Sequence, residues 1–141
     1  MKEIKVKAKD ESLLPIHFRQ GEWWDLAVSE DVEMKKGDFK ILDLGVCIEV
    51  PIGYEAILAP RSSTFKKFHI IQTNSIGVID NAYSGDNDWW GFPAYATEDT
   101  FIPKGARIAQ FKVISQQENF FITTVDKMNN EDRGGFGSTG L

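Results

Sequence analysis

Hydrophobic and polar residues alternate one by one along most of this chain, and apolar spacings of three and four are rare, which predicts short strands with one buried face. In the 39–50 segment, Gly45-Val46-Cys47-Ile48-Glu49-Val50 sets Val46, Ile48 and Val50 on one face and Cys47 and Glu49 on the other. The triplets Ile4/Val6/Ala8, Tyr54/Ala56/Leu58 and Ala109/Phe111/Val113 repeat the pattern, and Phe120-Phe121-Ile122-Thr123-Thr124-Val125 is expected to form a further strand. Turn chemistry separates these runs at Lys35-Lys36-Gly37-Asp38, Pro51-Ile52-Gly53, Ser84-Gly85-Asp86-Asn87-Asp88 and Pro103-Lys104-Gly105. Short strands at this spacing imply an all-β sandwich, jelly roll or barrel. One short helix is expected at Ser63-Thr64-Phe65-Lys66-Lys67-Phe68, where Ser and Thr hydroxyls accept from the free amides of a first helical turn.

Composition narrows the class. With 141 residues, 42% of them hydrophobic, the chain holds enough apolar material for one packed domain and shows no internal repeat. The one low-complexity piece is the C-terminal Arg133-Gly134-Gly135-Phe136-Gly137-Ser138-Thr139-Gly140-Leu141, set apart from residues 1–132. Sixteen Lys and Arg against 21 Asp and Glu leave a net charge of −5, which argues against stable binding to a nucleic-acid backbone. Cys47 is the single cysteine and His17 and His69 the only histidines, so there is no disulfide and no clustered zinc ligand set, and a reducing compartment is expected. The N-terminus lacks the apolar run of a signal peptide, and no stretch approaches the roughly 20 apolar residues of a membrane span. The expectation is a cytoplasmic protein without membrane contact.

Four segments carry candidate chemistry. In the tail, glycines let backbone amides converge on an anion, Ser138 and Thr139 add hydroxyls, and Arg133 adds a forked cation. A flexible end is the plainer reading of such a tail, but an entropic spacer gains nothing from Phe136, whose ring can stack on a base. Pro60-Arg61-Ser62-Ser63-Thr64 again sets a guanidinium beside hydroxyls, at a place where helix capping and anion binding are both open. In Asn74-Ser75-Ile76-Gly77-Val78-Ile79-Asp80-Asn81-Ala82-Tyr83-Ser84-Gly85, Asp80 closes an apolar run, either as a turn former or as a carboxylate able to orient and deprotonate water; Gly77 and Gly85 are expected to permit tight turns, and Tyr83 can pack against a sugar. In Gly105-Ala106-Arg107-Ile108-Ala109-Gln110-Phe111, Gln110 lies on the strand face opposite Phe111.

In this order and spacing, with Asp25-Leu26 as a weaker fifth match, the segments resemble the motifs of the trimeric dUTP pyrophosphatases (dUTPases) from about Gly21 to Gly140. Gly85-Asp86-Asn87-Asp88-Trp89-Trp90 is similar in style to enzymes of Gram-positive bacteria and their phages. The resemblance implies a jelly-roll-like (β-clip) subunit, a homotrimer with active sites at subunit boundaries, and a flap at 133–141 that completes each site. It implies hydrolysis of dUTP to dUMP and pyrophosphate by attack of water on the α-phosphorus, which limits uracil in DNA and supplies dUMP for dTTP synthesis. By the same resemblance, Asp80 activates the water, assisted by Gln110. Tyr83 lies under the deoxyribose and leaves no room for a 2′-hydroxyl. Asn74, Gly77, Val78 and Ile79 belong to the hairpin that reads uracil. Arg61, Ser62 and Ser63 match the phosphate region, Arg133 the γ-phosphate contact, Phe136 the ring over uracil, and Gly137, Ser138 and Thr139 the flap's donors. Mg2+ is the expected cofactor, bound mainly by phosphate oxygens and waters, with Asp25 reaching it through water.

The chain departs from the family pattern at Trp23, where a glycine is expected, at Ser63 after Arg61-Ser62, and at Ile76, where a proline is common. The Trp89-Trp90 pair replaces a less aromatic stretch, and packing or a lid are both open for it. Arg61-Ser62-Ser63 also resembles the related dCTP deaminases, for whose catalytic glutamate Glu98 is the only nearby candidate. A phage-type regulator that binds a repressor protein on the same fold is a third possibility.

Overall fold

The period of two resolves into eleven short strands and one five-residue helix in the computed structural model, which describes residues 2–17, 19–20 and 22–137. In chain order these are β1 (Lys5–Ala8), a 3-10 turn (Glu11–Leu13), β2 (Trp24–Ala27), β3 (Val32–Met34), β4 (Phe39–Asp43), β5 (Val46–Glu49) and β6 (Tyr54–Pro60). There follow α1 (Thr64–Phe68), β7 (Ile70–Gln72), β8 (Gly77–Ile79), β9 (Gly91–Ala96), β10 (Thr100–Ile102) and β11 (Arg107–Ser115). Three of the expected turns have the same construction. Gly37, Gly53 and Gly105 take positive φ at the third position, and a backbone bond closes each turn from Asp38 to Lys35, Tyr54 to Pro51 and Ala106 to Pro103.

All strand pairs are antiparallel. β2-β11-β6-β8 form a four-stranded sheet and β4-β9-β7 a three-stranded one, while β1 pairs with β5 and β3 with β10. The inward faces meet in one core containing Leu26, Leu42, Val46, Ile48, Leu58, Trp90, Phe92, Ile108 and Phe111. Each such side chain, once fully buried, contributes about 1.5–3 kcal/mol, so the alternation is itself the main determinant of which way each strand faces. Val46, Ile48 and Val50 point inward and Glu49 outward, as the pattern predicts. Cys47 is also buried, because the 84–86 loop covers that face and brings the Asp86 carbonyl to 3.5 Å from its Sγ. Burial pushes the Cys47 thiol pKa up, which keeps it protonated and unreactive.

Three expectations fail for physical reasons. Phe120–Val125 is not a strand: residues 116–137 leave the sheets, and Phe120, Phe121 and Ile122 are 75%, 91% and 95% exposed, because no free sheet edge of this chain pairs with them. The helix forms, but Ser63 makes no side-chain cap and its own backbone is already helical. Thr64, wholly buried, instead accepts from the Arg61 amide at 3.0 Å and donates to the Ile108 carbonyl at 2.6 Å, tying the helix start to β11. Gly77 starts β8 rather than a tight turn, whereas Gly85 does open one, closed by the Asp88 amide on its carbonyl at 3.2 Å; neither has a positive φ. A Cβ on Gly77 would stand 3.0 Å from the Leu58 Cβ, and one on Gly85 would stand 2.7 Å from the Asp88 carboxylate, so both are glycines for close approach. Among the described residues no helix is long and apolar enough to cross a membrane.

Candidate active site

The sheet register assembles two separate groups of the predicted residues. The first lies around a cavity of about 560 Å³ lined by Asn74, Gly77, Val78, Ile79, Asp80 and Tyr83 together with Ile41, Leu58, Trp89 and Trp90. β8 pairs with β6, Gly77 opposite Leu58, and the bare glycine allows the close approach that forms the cavity floor. Asp80 follows β8 directly. Its Oδ1 accepts from the Ala82 amide at 2.9 Å, so the turn-forming reading of this residue is correct as structure, and the carboxylate is nonetheless exposed at the cavity. Tyr83 is half-exposed and donates its hydroxyl to the Trp89 carbonyl at 2.9 Å. Burial, with a smaller push from the Asp88 carboxylate, raises the Tyr83 pKa, so the phenol stays a proton donor. The tryptophans divide: Trp90 is core, edge-on to Phe111 at 5.1 Å, whereas Trp89 stays partly exposed on the cavity rim.

The second group sits at the other end of β6. Arg61 Nε pairs with the nearly buried Asp25 carboxylate at 3.1 Å, and its NH1 donates to the Arg107 carbonyl at 3.2 Å. Gln110 lies directly opposite Asp25 and donates through Nε2 to the Pro60 carbonyl at 3.1 Å. Ser62 is exposed beside this cluster and Ser63 half-buried. Among the described residues no three His, Cys, Asp or Glu side chains are grouped to hold a metal ion. The Asp25 carboxylate is already engaged by Arg61.

Arg107, which the sequence reading left without a role, turns out to be structural. A register shift in β11 between Arg107 and Ala109 swings its side chain out of the alternation, and the guanidinium donates to the carbonyls of Leu14 at 3.2 Å, Asp25 at 2.8 Å and Ser12 at 3.1 Å. Burial lowers its pKa, with the neighbouring Asp25 opposing and Arg61 adding to the shift. Arg107→Met leaves three carbonyls without their charged donor and is expected to lower unfolding stability by about 3 kcal/mol in a urea titration. Arg107→Lys is expected to recover only part, since a single ammonium does not reproduce the fork.

The two groups are far apart within one chain. Ile79 pairs with Ala56, whereas Arg61 follows the opposite end of β6, so their backbone levels differ by roughly 17 Å at about 3.3 Å per residue. Neither Arg61, Ser62 nor Gln110 lines the Asp80 cavity. Arg133, Phe136 and Gly137 are exposed on the outlying tail and also stand apart from it, while Ser138 and Thr139 lie outside the described residues. Glu98, the deaminase candidate, is exposed between β9 and β10 and does not line the cavity either. Periodicity did not reveal the Asp25–Arg61 pair or the Tyr83–Trp89 bond, because both depend on which strands become neighbours.

A model of the dUTPase family matches residues 22–140. The SPbeta prophage-derived deoxyuridine 5'-triphosphate nucleotidohydrolase YosS of Bacillus subtilis (strain 168) is 53% identical over 139 residues, 98% of each chain. A deoxyuridine 5'-triphosphate nucleotidohydrolase of Clostridioides difficile is 31% identical over 145 residues, the full length of both. Among solved structures, the Staphylococcus bacteriophage 80alpha dUTPase with dUPNHPP superposes with a TM-score of 0.79 at 19% identity over the whole of both chains. A dUTPase from Streptococcus mutans gives 0.75 at 23% identity over 85% of this chain and 100% of that one. Near full-length identity to the prophage enzyme, a family match spanning the cavity, the Arg61 cluster and the tail, and the shared jelly-roll fold establish that this chain belongs to the dUTPase family.

Proposed function

We propose that this protein hydrolyses dUTP to dUMP and pyrophosphate at a site shared between subunits of a homotrimer. The observation that carries the reading is the convergence of Asn74, the β8 backbone, Asp80 and Tyr83 on one cavity of nucleoside size. Backbone groups at Gly77–Ile79 and the Asn74 turn read the uracil edge, Tyr83 lies flat under the deoxyribose, and Asp80 meets the α-phosphate at the cavity mouth. Asp80 takes a proton from water as the water oxygen bonds to the α-phosphorus. The bond from that phosphorus to the bridging oxygen of the β-phosphate breaks, and pyrophosphate leaves with the bond's electron pair.

Subunit sharing follows from reach. A gap of roughly 17 Å along β6 is longer than an arginine side chain, so Asp80 and Arg61 of one chain do not serve the same triphosphate. A second copy brings its Arg61, Ser62, Ser63 and Gln110 to the phosphates, and the tail that carries Arg133, Phe136, Gly137, Ser138 and Thr139 closes over a neighbouring site. The exposed apolar arm at Phe120–Val125 supports this, since its side chains need another chain to cover them.

Magnesium fits as part of the substrate complex. No group of three metal-ligating side chains is present among the described residues, and Asp25, held by Arg61 Nε at 3.1 Å, would reach an ion through water. Magnesium carried on the triphosphate would supply charge neutralisation against the attacking oxygen. Arg61 arrives already oriented by Asp25 and the Arg107 carbonyl, so little ordering remains when the triphosphate binds.

The test is pyrophosphate release measured in parallel on dUTP, dCTP, dTTP and UTP with magnesium. Release from dUTP alone is expected; ammonia release from dCTP would overturn the reading in favour of a deaminase.

A further inference from the structure

We propose that Trp89 is a positioning residue for Tyr83, held in place by Lys7 and Lys9 and thereby setting how closely the tyrosine ring approaches the sugar. The proposal rests on the reading of Tyr83 as the floor beneath the deoxyribose, and it assigns work to three residues outside the family motifs.

The geometry is a relay from β1 to the cavity. Lys7 lies in β1 and Lys9 in the bend just after it, and both side chains reach the same tryptophan. Their ammonium groups stand 5.0 Å and 4.8 Å from the centroid of the Trp89 ring, within cation–π range. Two like charges converging on one ring repel each other, yet each is separately anchored. Lys7 Nζ donates to the Asp86 carbonyl at 2.8 Å, and Lys9 Nζ pairs at 2.7 Å with Asp43, which also accepts from the Ser29 hydroxyl. Burial alone would raise the Asp43 pKa, but the Lys9 and Ser29 hydrogen bonds outweigh it and lower the value, so Asp43 stays a carboxylate at neutral pH and Lys9 keeps its counter-charge. Lys7 therefore staples the 84–90 loop at two points and Lys9 at one.

Across the loop, the peptide unit between Trp89 and Trp90 is bonded at both ends. Its N–H, on the buried Trp90, donates to the Val46 carbonyl at 2.8 Å, and its carbonyl receives the Tyr83 hydroxyl at 2.9 Å. Trp90, buried and bonded on both sides to Val46 and Leu44, anchors one end of that peptide, and the two lysines on the Trp89 ring hold the other. Tyr83 is half-exposed, so the bond to the Trp89 carbonyl is an important restraint on its ring. A ring that rocks by a few tenths of an ångström still binds deoxyribose but no longer excludes the extra oxygen of ribose.

The test compares kcat/KM for dUTP and UTP in Trp89→Ala, Trp89→Phe, the double variant Lys7→Met with Lys9→Met, and Tyr83→Phe. Trp89→Ala and the lysine pair are expected to reduce the preference for dUTP roughly five- to tenfold, the size of one lost neutral hydrogen bond. The change is expected mainly as a gain on UTP and a higher KM for dUTP, with kcat for dUTP little altered. Trp89→Phe, which keeps a ring under the cations, is expected to restore most of the preference, a rescue that a purely structural role would not give. If Trp89→Ala does not fold, the exposed lysine pair carries the test. Loss of preference in Tyr83→Phe with full preference in Trp89→Ala or the lysine pair overturns the relay and leaves the Tyr83 reading standing. In a further variant, Tyr83→Ala, which removes the ring altogether, an unchanged preference overturns the Tyr83 reading itself.

Discussion

Asp80→Asn is expected to lower pyrophosphate release from dUTP roughly a thousandfold, within the usual range for loss of a positioned general base, while dUTP still binds. The substitution separates the two roles that the sequence left open for this residue. As a turn former, Asp80 accepts the Ala82 amide through Oδ1, and an asparagine oxygen takes that bond over, so the loop and the neighbouring Tyr83 keep their places. As a base, the carboxylate takes a proton from water, and an amide cannot. Removing a negative charge beside a triphosphate also eases binding, so the Kd for dUTP or a non-hydrolysable analogue is expected to stay equal or fall. Turnover near the parent rate would show that Asp80 is only a turn former, and loss of binding would place it in recognition instead.

A chain that ends at Asp132 is expected to fold and assemble, since the residues it loses are exposed where described and hold no contact with the core. Its hydrolysis of dUTP is expected to drop at least a hundredfold, because the phosphate donors and the covering ring go with the tail. Mixing this chain with Asp80→Asn distinguishes a shared site from a self-contained one. Each variant alone is nearly inactive. When the two are co-refolded in equal amounts, about a quarter of the sites in randomly mixed trimers combine an intact Asp80 with an intact tail from a neighbour. Activity is therefore expected to return to about a quarter of the parent value, with sedimentation reporting the trimer. If each chain served its own cavity, the mixture would remain as inactive as its parts.

Much of this was legible along the chain because it depends on near neighbours. Val46, Ile48 and Val50 turn inward because a strand alternates its side chains and apolar burial selects the face. Gly37, Gly53 and Gly105 make their turns because glycine adopts positive φ without a Cβ clash. The motif around Asp80 and Tyr83 was visible for the same reason: its residues lie within one strand and the turn after it, so spacing in sequence is close to spacing in space. Where the pattern misled, a distant element had intervened. Cys47 alternates outward but is roofed by the 84–86 loop. Phe120–Val125 has the composition of a strand, yet a strand exists only where an edge accepts its hydrogen bonds, and this segment pairs with no strand of its own chain. Thr64 resembles a helix cap, but its hydroxyl is spent on Arg61 and β11.

The sequence by itself determined that the chain is all-β and that it carries the dUTPase motifs in order, and it singled out Asp80, Tyr83, Arg61 and the glycine-rich tail as the residues proposed for its chemistry. A small anionic nucleotide needs only a few local donors, so a net charge of −5 is no obstacle to it. Only the tertiary structure decided how those residues are distributed. Antiparallel pairing of β6 with β8 carries Asp80 and Arg61 toward opposite ends of the same strand, and pairing of β11 with β2 brings Asp25 beneath Arg61. β1 and the bend after it, remote in sequence, supply Lys7 and Lys9, which meet Trp89. The reason is that side-chain preferences act over a few residues, whereas strand register joins positions dozens of residues apart, and it is register that sets which charges and rings come within reach.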